Sequence, residues 1–189
     1  DMRNPLKTTT YGVGEVICDA IKKGCRRFIV GIGGSATNDG GIGMLQALGF
    51  DILDSSGKPV PHGAEGLSHI ASISADHVIP ELFRCSFQIA CDVNNPLCGP
   101  NGASAIYGPQ KGADAKMIQS MDRWLADYAE LCRKQFPNAD ASVPGTGAAG
   151  GMGFAFLTFM NSSLESGISI ILKETKLRQY VRDADIVIT

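Results

Sequence analysis

One stretch constrains the fold more than any other: Ile29-Val30-Gly31-Ile32-Gly33-Gly34-Ser35-Ala36-Thr37-Asn38-Asp39-Gly40-Gly41. An apolar run with the character of a strand breaks into glycines, hydroxyls and a single carboxylate. Glycine lets the backbone pass close to a ligand where a Cβ would clash, and the N–H groups of such a turn can point together at an anion. Gly43-Met44-Leu45-Gln46-Ala47-Leu48 then reads as a short helix whose N-terminus adds partial positive charge.

The rest of the chain alternates helices with short apolar strands. Thr10 is placed to cap a helix over Val13–Lys23, closed by Gly24, before a strand at Phe28–Ile32. A strand at Phe50–Leu53 runs into the turn Ser55-Ser56-Gly57, and residues 61–80 read as mixed and largely peripheral. A second clear strand, Cys85–Cys91, again ends in a polar loop that contains Asp92, Asn94 and Asn95. From Asp114 to Phe136 the residues Met117, Met121, Trp124, Leu125, Tyr128 and Cys132 make one helical stripe, read as core contact. Gly147–Gly153 leads into the uncharged run Phe154–Met160, a helix expected to be buried on most sides. Gly150 and Gly151 at its start suit either close packing or an anion. Segments at Ser166–Glu174 and Lys176–Arg182 lead to a last strand at Ile186–Ile188. The pattern predicts a three-layer α/β/α fold of flavodoxin or Rossmann-like type, its mainly parallel sheet covered on both faces.

Composition removes several classes of function. A formal net charge of −2 with scattered lysines and arginines leaves no footprint for nucleic acid. No apolar stretch has the length of a membrane span, and the N-terminus lacks signal-like regions. The six cysteines form no C-x-x-C pair and read as small hydrophobes in a reducing cytoplasm. His62, His69 and His77 lack metal-ligand spacing, and no G-x-S-x-G elbow is present.

Three readings compete for the glycine loop. The pattern G-x-x-x-x-G-K-[ST] is absent, which removes a P-loop. Gly31, Gly33 and Ala36 match G-x-G-x-x-A after a strand, with Asp51 or Asp54 near the spacing of a ribose-binding acid, as in an NAD(P)-dependent oxidoreductase. Asp39 argues against that reading, because a bare carboxylate would repel a pyrophosphate. A Mg²⁺–phosphate site accommodates it, since hard cations take carboxylate oxygens and share their other positions with water and phosphate. The plain alternative is a tight turn whose polar side chains bond local backbone.

A second carboxylate, Asp92, at the end of another predicted strand favours phosphoryl transfer to an alcohol. One carboxylate would hold metal and the other accept the hydroxyl proton, with Lys111 as a candidate cation. The candidate site therefore comprises Asp39, Asp92 and Lys111 as catalytic groups, the two aspartates doubling as metal ligands. Gly33, Gly34, Ser35, Thr37, Asn38, Gly40, Asn94, Gly150 and Gly151 would hold the cofactor.

The chain also resembles the bacterial glycerate kinase family, in the class without a MOFRL domain. The likeness is carried by Arg3-Asn4-Pro5 with Thr8–Glu15, by Gly31–Gly41 with Gln46–Gly49, and by Ala90–Leu97. It continues through Asn101–Ser104, Tyr107–Gly112, Gly147–Gly153 and Ala184–Thr189. The resemblance implies ATP-dependent, Mg²⁺-assisted phosphorylation of D-glycerate to 2-phosphoglycerate, in cytoplasmic glyoxylate-, glucarate- or serine-related carbon metabolism. It further implies that this chain is the central domain of a protein about twice as long, inactive without the second domain that faces it. A homodimer is left open.

Overall fold

The computed structural model describes residues 3–188. A parallel three-stranded sheet in the order β1-β4-β5 forms its centre, from β1 (Arg27–Gly31), β4 (Ser86–Ala90) and β5 (Ser162–Glu165). Phe28 pairs with Phe87 and Phe87 with Ser162, so the three strands carry their alternating side chains in register. One face holds Phe28, Val30, Phe87 and Ile89, and there Phe87 meets Phe156 of helix α6 (Ala148–Phe159). The opposite face presents Arg27, Ile29, Ser86 and Gln88, and helix α7 (Gly167–Glu174) reaches it through Glu174 beside Arg27. Ile29 stays 55% exposed, so helices flank both faces but cover them unequally.

The helices follow from the sequence pattern. Helix α1 (Tyr11–Lys22) buries Gly14, Ile17 and Ile21 and ends at Gly24, whose φ of +95° only glycine adopts without strain. Gly14 lets α1 lie directly on α2 (Ile42–Ala47), because a Cβ there would stand 2.4 Å from the Met44 carbonyl oxygen. The expected stripe of α5 (Ala115–Arg133) is core: Met121, Leu125, Tyr128 and Cys132 are buried, and Asp114 caps the helix by accepting from the Met117 N–H. Helix α4 (Ala103–Tyr107) and the 3-10 turn Pro109–Lys111 connect β4 to α5.

Three expectations needed correction. Residues 61–80 are not peripheral. They form the short helix α3 (Ala64–Leu67) and strand β3 (Ser72–Ser74), which pairs antiparallel with β2 (Asp51–Leu53), and they supply Ala64, Leu67, Ile73 and Val78 to the core. Strand β5 was not foreseen; Ser162-Ser163-Leu164-Glu165 has too little apolar character to announce a strand, and its place is set by pairing with β4. The expected last strand is not formed: beyond α8 (Leu177–Asp183), Ile186, Val187 and Ile188 are irregular and exposed, and Thr189 lies outside the described residues.

Candidate functional site

The carboxyl ends of β1 and β4 open into a cleft of about 160 Å³. Ile32 to Ser35 form one wall, Ala90 to Val93 the second, and Tyr107, Gln110 and Lys111 close it with Ala148 and Ala149. This is where ligands bind in open parallel sheets, since the loops leaving neighbouring strands diverge there.

The first wall is bare backbone. Among the described residues the N–H groups of Gly33, Gly34 and Ser35 donate to no protein acceptor. A Cβ at Gly33 or Gly34 would meet nothing within 4 Å, so these glycines face open space rather than packed neighbours. Unpaired N–H groups around such a hollow suit an anion.

Asp92 stands on the second wall, two residues beyond the end of β4. Its Oδ1 accepts from the Gly167 N–H at 2.9 Å, which fixes the carboxylate against the first turn of α7, and its Oδ2 has no hydrogen-bond partner among the described residues. Lys111 is 5% exposed, and its ammonium donates to the Thr37 carbonyl at 2.6 Å while lying 6.0 Å from the Tyr107 ring centre. Burial pushes its pKa down to about 8, and the Asp39 charge works in the opposite direction. Lysine thus reaches the cleft while holding the glycine loop from behind.

Asp39 is placed differently from expectation. It is fully buried and does not line the cleft. Its Oδ2 accepts from the Thr10 N–H at 2.8 Å and the Thr10 hydroxyl at 3.0 Å, and its Oδ1 accepts from the Gly41 N–H at 3.1 Å. The Gly43 N–H contributes as well. The Thr10 hydroxyl gives its one hydrogen to Asp39 and also accepts from the Met44 N–H. This carboxylate ties the start of α1 to the start of α2 and has no oxygen directed at a metal in the cleft. Desolvation outweighs the surrounding donors and raises its pKa above the ordinary carboxylate value.

Several expected cofactor residues turn out to be internal. Asn38 is buried and donates to the Ser104 hydroxyl at 2.9 Å. The Thr37 side-chain oxygen is shut in without a partner. Gly40, Gly150 and Gly151 serve packing: the Gly40 N–H donates to the Gly150 carbonyl at 2.9 Å, and a Cβ on Gly150 would lie 2.1 Å from the Thr37 carbonyl oxygen. Ala149, Gly150 and Gly151 take successive left-handed conformations, so the right-handed part of α6 begins only after them. Asn94 is exposed beside the cleft without lining it. Gly33, Gly34, Ser35, Asp92 and Lys111 are thus the sequence-named residues that the fold brings together.

Tyr107 and Gln110 line the cleft without having been singled out as site residues. The Tyr107 hydroxyl donates to Asn95 Oδ1 at 2.6 Å and so joins helix α4 to the Asp92 loop. Their signal was the polar run Tyr107-Gly108-Pro109-Gln110-Lys111, where only the charge stood out.

The dinucleotide reading finds no support in this geometry. Strand β1 ends at Gly31 and α2 begins only at Ile42, so no helix opens directly behind the glycines. Asp54 Oδ1 accepts from the Ser56 N–H, the Ser56 hydroxyl and the Lys58 N–H of its own turn. Among the described residues no cluster of three or more His, Cys, Asp or Glu side chains forms a ready metal cage, and no helix is long and apolar enough to cross a membrane.

Comparison with known proteins agrees over the whole length. The model of the glycerate kinase family matches residues 1–189. The glycerate kinase of Haemophilus influenzae is 49% identical over 189 residues, which are all of this chain and 50% of that protein. The glycerate 2-kinase of Escherichia coli is 46% identical with the same coverage of both. A crystal structure from Salmonella typhimurium LT2, of a protein assigned as a glycerate kinase 2, superposes with a TM-score of 0.94 at 45% identity. It covers 97% of this chain and 49% of the other. The chain spans about half the length of the curated relatives it matches.

Proposed function

The chain belongs to the glycerate kinase family, and from that premise we propose that the full protein transfers the γ-phosphoryl group of ATP to the 2-hydroxyl of D-glycerate, giving 2-phosphoglycerate. The observation that carries the proposal is the meeting, in one cleft, of unpaired N–H groups at Gly33 to Ser35, the Asp92 carboxylate and the buried Lys111 ammonium. Phosphoryl transfer is accelerated mainly by positioning and by charge placed around the transferring group, and these three elements supply both.

Each fits a defined part. The hollow at Gly33 and Gly34 would hold phosphate oxygens, and Lys111 would add a point charge from the far side. Asp92 Oδ2 is free to take a hard cation, and Mg²⁺ usually needs only one or two carboxylates because water and phosphate fill its remaining positions. When bound, the metal neutralises charge on the phosphate oxygens. Asp92 is equally placed to accept the hydroxyl proton. Its hydrogen bond from Gly167 holds it in one orientation in either case. We read the remaining half of the full protein as the opposing wall, which this chain alone would lack.

The test is to incubate the full protein with Mg-ATP and D-glycerate and follow the products by ³¹P NMR. Appearance of 2-phosphoglycerate with stoichiometric ADP supports the reading, 3-phosphoglycerate would move the reacting hydroxyl, and absence of turnover would overturn it.

A further inference from the structure

We propose that Asp39, which the cleft never exposes, is a positioning residue whose buried carboxylate keeps the Lys111 ammonium charged and holds the glycine loop against it; the inference rests on Lys111 being the cation of the kinase cleft. Three geometric observations carry it. First, among the described residues Asp39 accepts from two backbone N–H groups, one on each oxygen, and from the Thr10 hydroxyl. Backbone N–H groups on both oxygens favour the anion and oppose the burial that raises this carboxyl above the ordinary carboxylate value. Second, Lys111 bonds to the carbonyl of Thr37, two residues upstream of Asp39 on the same loop, so ammonium and carboxylate share one short piece of chain. Third, both groups are buried, with Asp39 at 0% and Lys111 at 5% exposure, where a charge acts at much greater strength than in water.

The other groups near Lys111 cannot replace Asp39. Tyr107 offers its ring face and a phenol whose pKa burial raises, and Cys91 across the cleft is a thiol pushed up by burial. Arg3, whose guanidinium donates to the Gln110 carbonyl, brings like charge to the same turn. Asp92 stands on the opposite wall, held by Gly167. The Lys111 ammonium has three hydrogens and, among the described residues, one hydrogen-bond acceptor, leaving donors for an anionic ligand in the cleft. Burial alone drives this lysine toward neutrality, and the counter-charge under the loop opposes that.

The experiment is a pH titration of the full protein labelled with ¹³Cε-lysine, with the Lys111 signal assigned by its loss in Lys111→Arg. The expected midpoint is near 8 in the wild-type protein and falls by about one pH unit, a tenfold change, in Asp39→Asn. An unmoved midpoint in that variant overturns the proposal. If Asp39→Asn does not fold, the ¹³Cγ shift of Asp39 in the wild type decides: an ionised carboxyl at pH 7 sustains it and a protonated one overturns it. In turnover, Asp39→Asn should move the alkaline limb of kcat/KM down by the same unit and Lys111→Arg should abolish that limb. A merely structural Asp39 would lower the amount of folded enzyme and leave the limb in place. The titration needs no substrate, so the two failures are distinguishable: a protein that titrates as expected yet fails to phosphorylate glycerate refutes the kinase reading and leaves only the coupling of Asp39 to Lys111.

Discussion

The loops that leave β1 and β4 look alike in sequence, each an apolar strand breaking into polar residues with one aspartate, yet their carboxylates end in opposite environments. Asp92 lies two residues past its strand and faces the cleft with one oxygen free. Asp39 lies eight residues past its strand, buried where the starts of α1 and α2 meet, and its hydrogen-bond partners among the described residues are protein donors. Distance from the strand end decides the difference. Residues just beyond a strand stay at the rim, where ligands bind, whereas a longer excursion has room to return to the core. A buried carboxylate is then tolerated because four donors replace water.

The sharpest way to break this comparison is to remove each carboxylate in turn. Asp39→Ala leaves the donors at Thr10, Gly41 and Gly43 without an acceptor in the interior, and urea denaturation should show a loss of about 3–5 kcal/mol. If Asp92→Asn in the full protein cuts turnover by about 100-fold with an unchanged denaturation midpoint, the two aspartates do divide into structure and chemistry. Equal effects of the two substitutions on stability would erase the distinction.

A smaller effect tests the packing beneath Asp39. Gly150→Ala places a Cβ 2.1 Å from the Thr37 carbonyl at a φ of +67°, and a thermal melt should register a loss of about 2–3 kcal/mol. The same change in the open hollow, Gly33→Ala, meets nothing within 4 Å and should leave the melt nearly unchanged while weakening ATP binding in a calorimetric titration.

The pH dependence of stability sharpens the comparison further. Lys111 titrates near 8 when folded and near 10.5 when unfolded, so between those values the unfolded chain binds more protons and stability rises with pH. The rise is about 3 kcal/mol at most and should vanish in Lys111→Met when both proteins are unfolded in urea across that window. A modest loss is expected of Tyr107→Phe, which removes the hydroxyl that reaches Asn95 and should cost about 1 kcal/mol in the same assay.

Much of the fold was legible because period and punctuation agree. Helix α5 was read from one apolar stripe with Asp114 at its cap, and β1 and β4 from short apolar runs that stop at polar loops. Strand β5 was not, because a serine-rich segment becomes a strand only when a neighbour supplies the hydrogen bonds. Residues 61–80 hid their core contribution because Ala64, Leu67, Ile73 and Val78 follow no single period; they belong to a helix, a strand and a turn in succession.

The amino-acid sequence by itself determined the alternation of strands and helices, the glycine loop behind β1 and the segments shared with the glycerate kinase family, since each is written in local residue order. Only the tertiary structure decided which polar residues reach the ligand. It placed Gly33, Gly34, Ser35, Asp92 and Lys111 around one cleft, and turned Asp39, Asn38, Gly40, Gly150 and Gly151 inward. The reason is that a side chain's environment depends on what packs against its loop, and the partners of this loop, Thr10, Ser104 and Lys111, lie far from it along the chain.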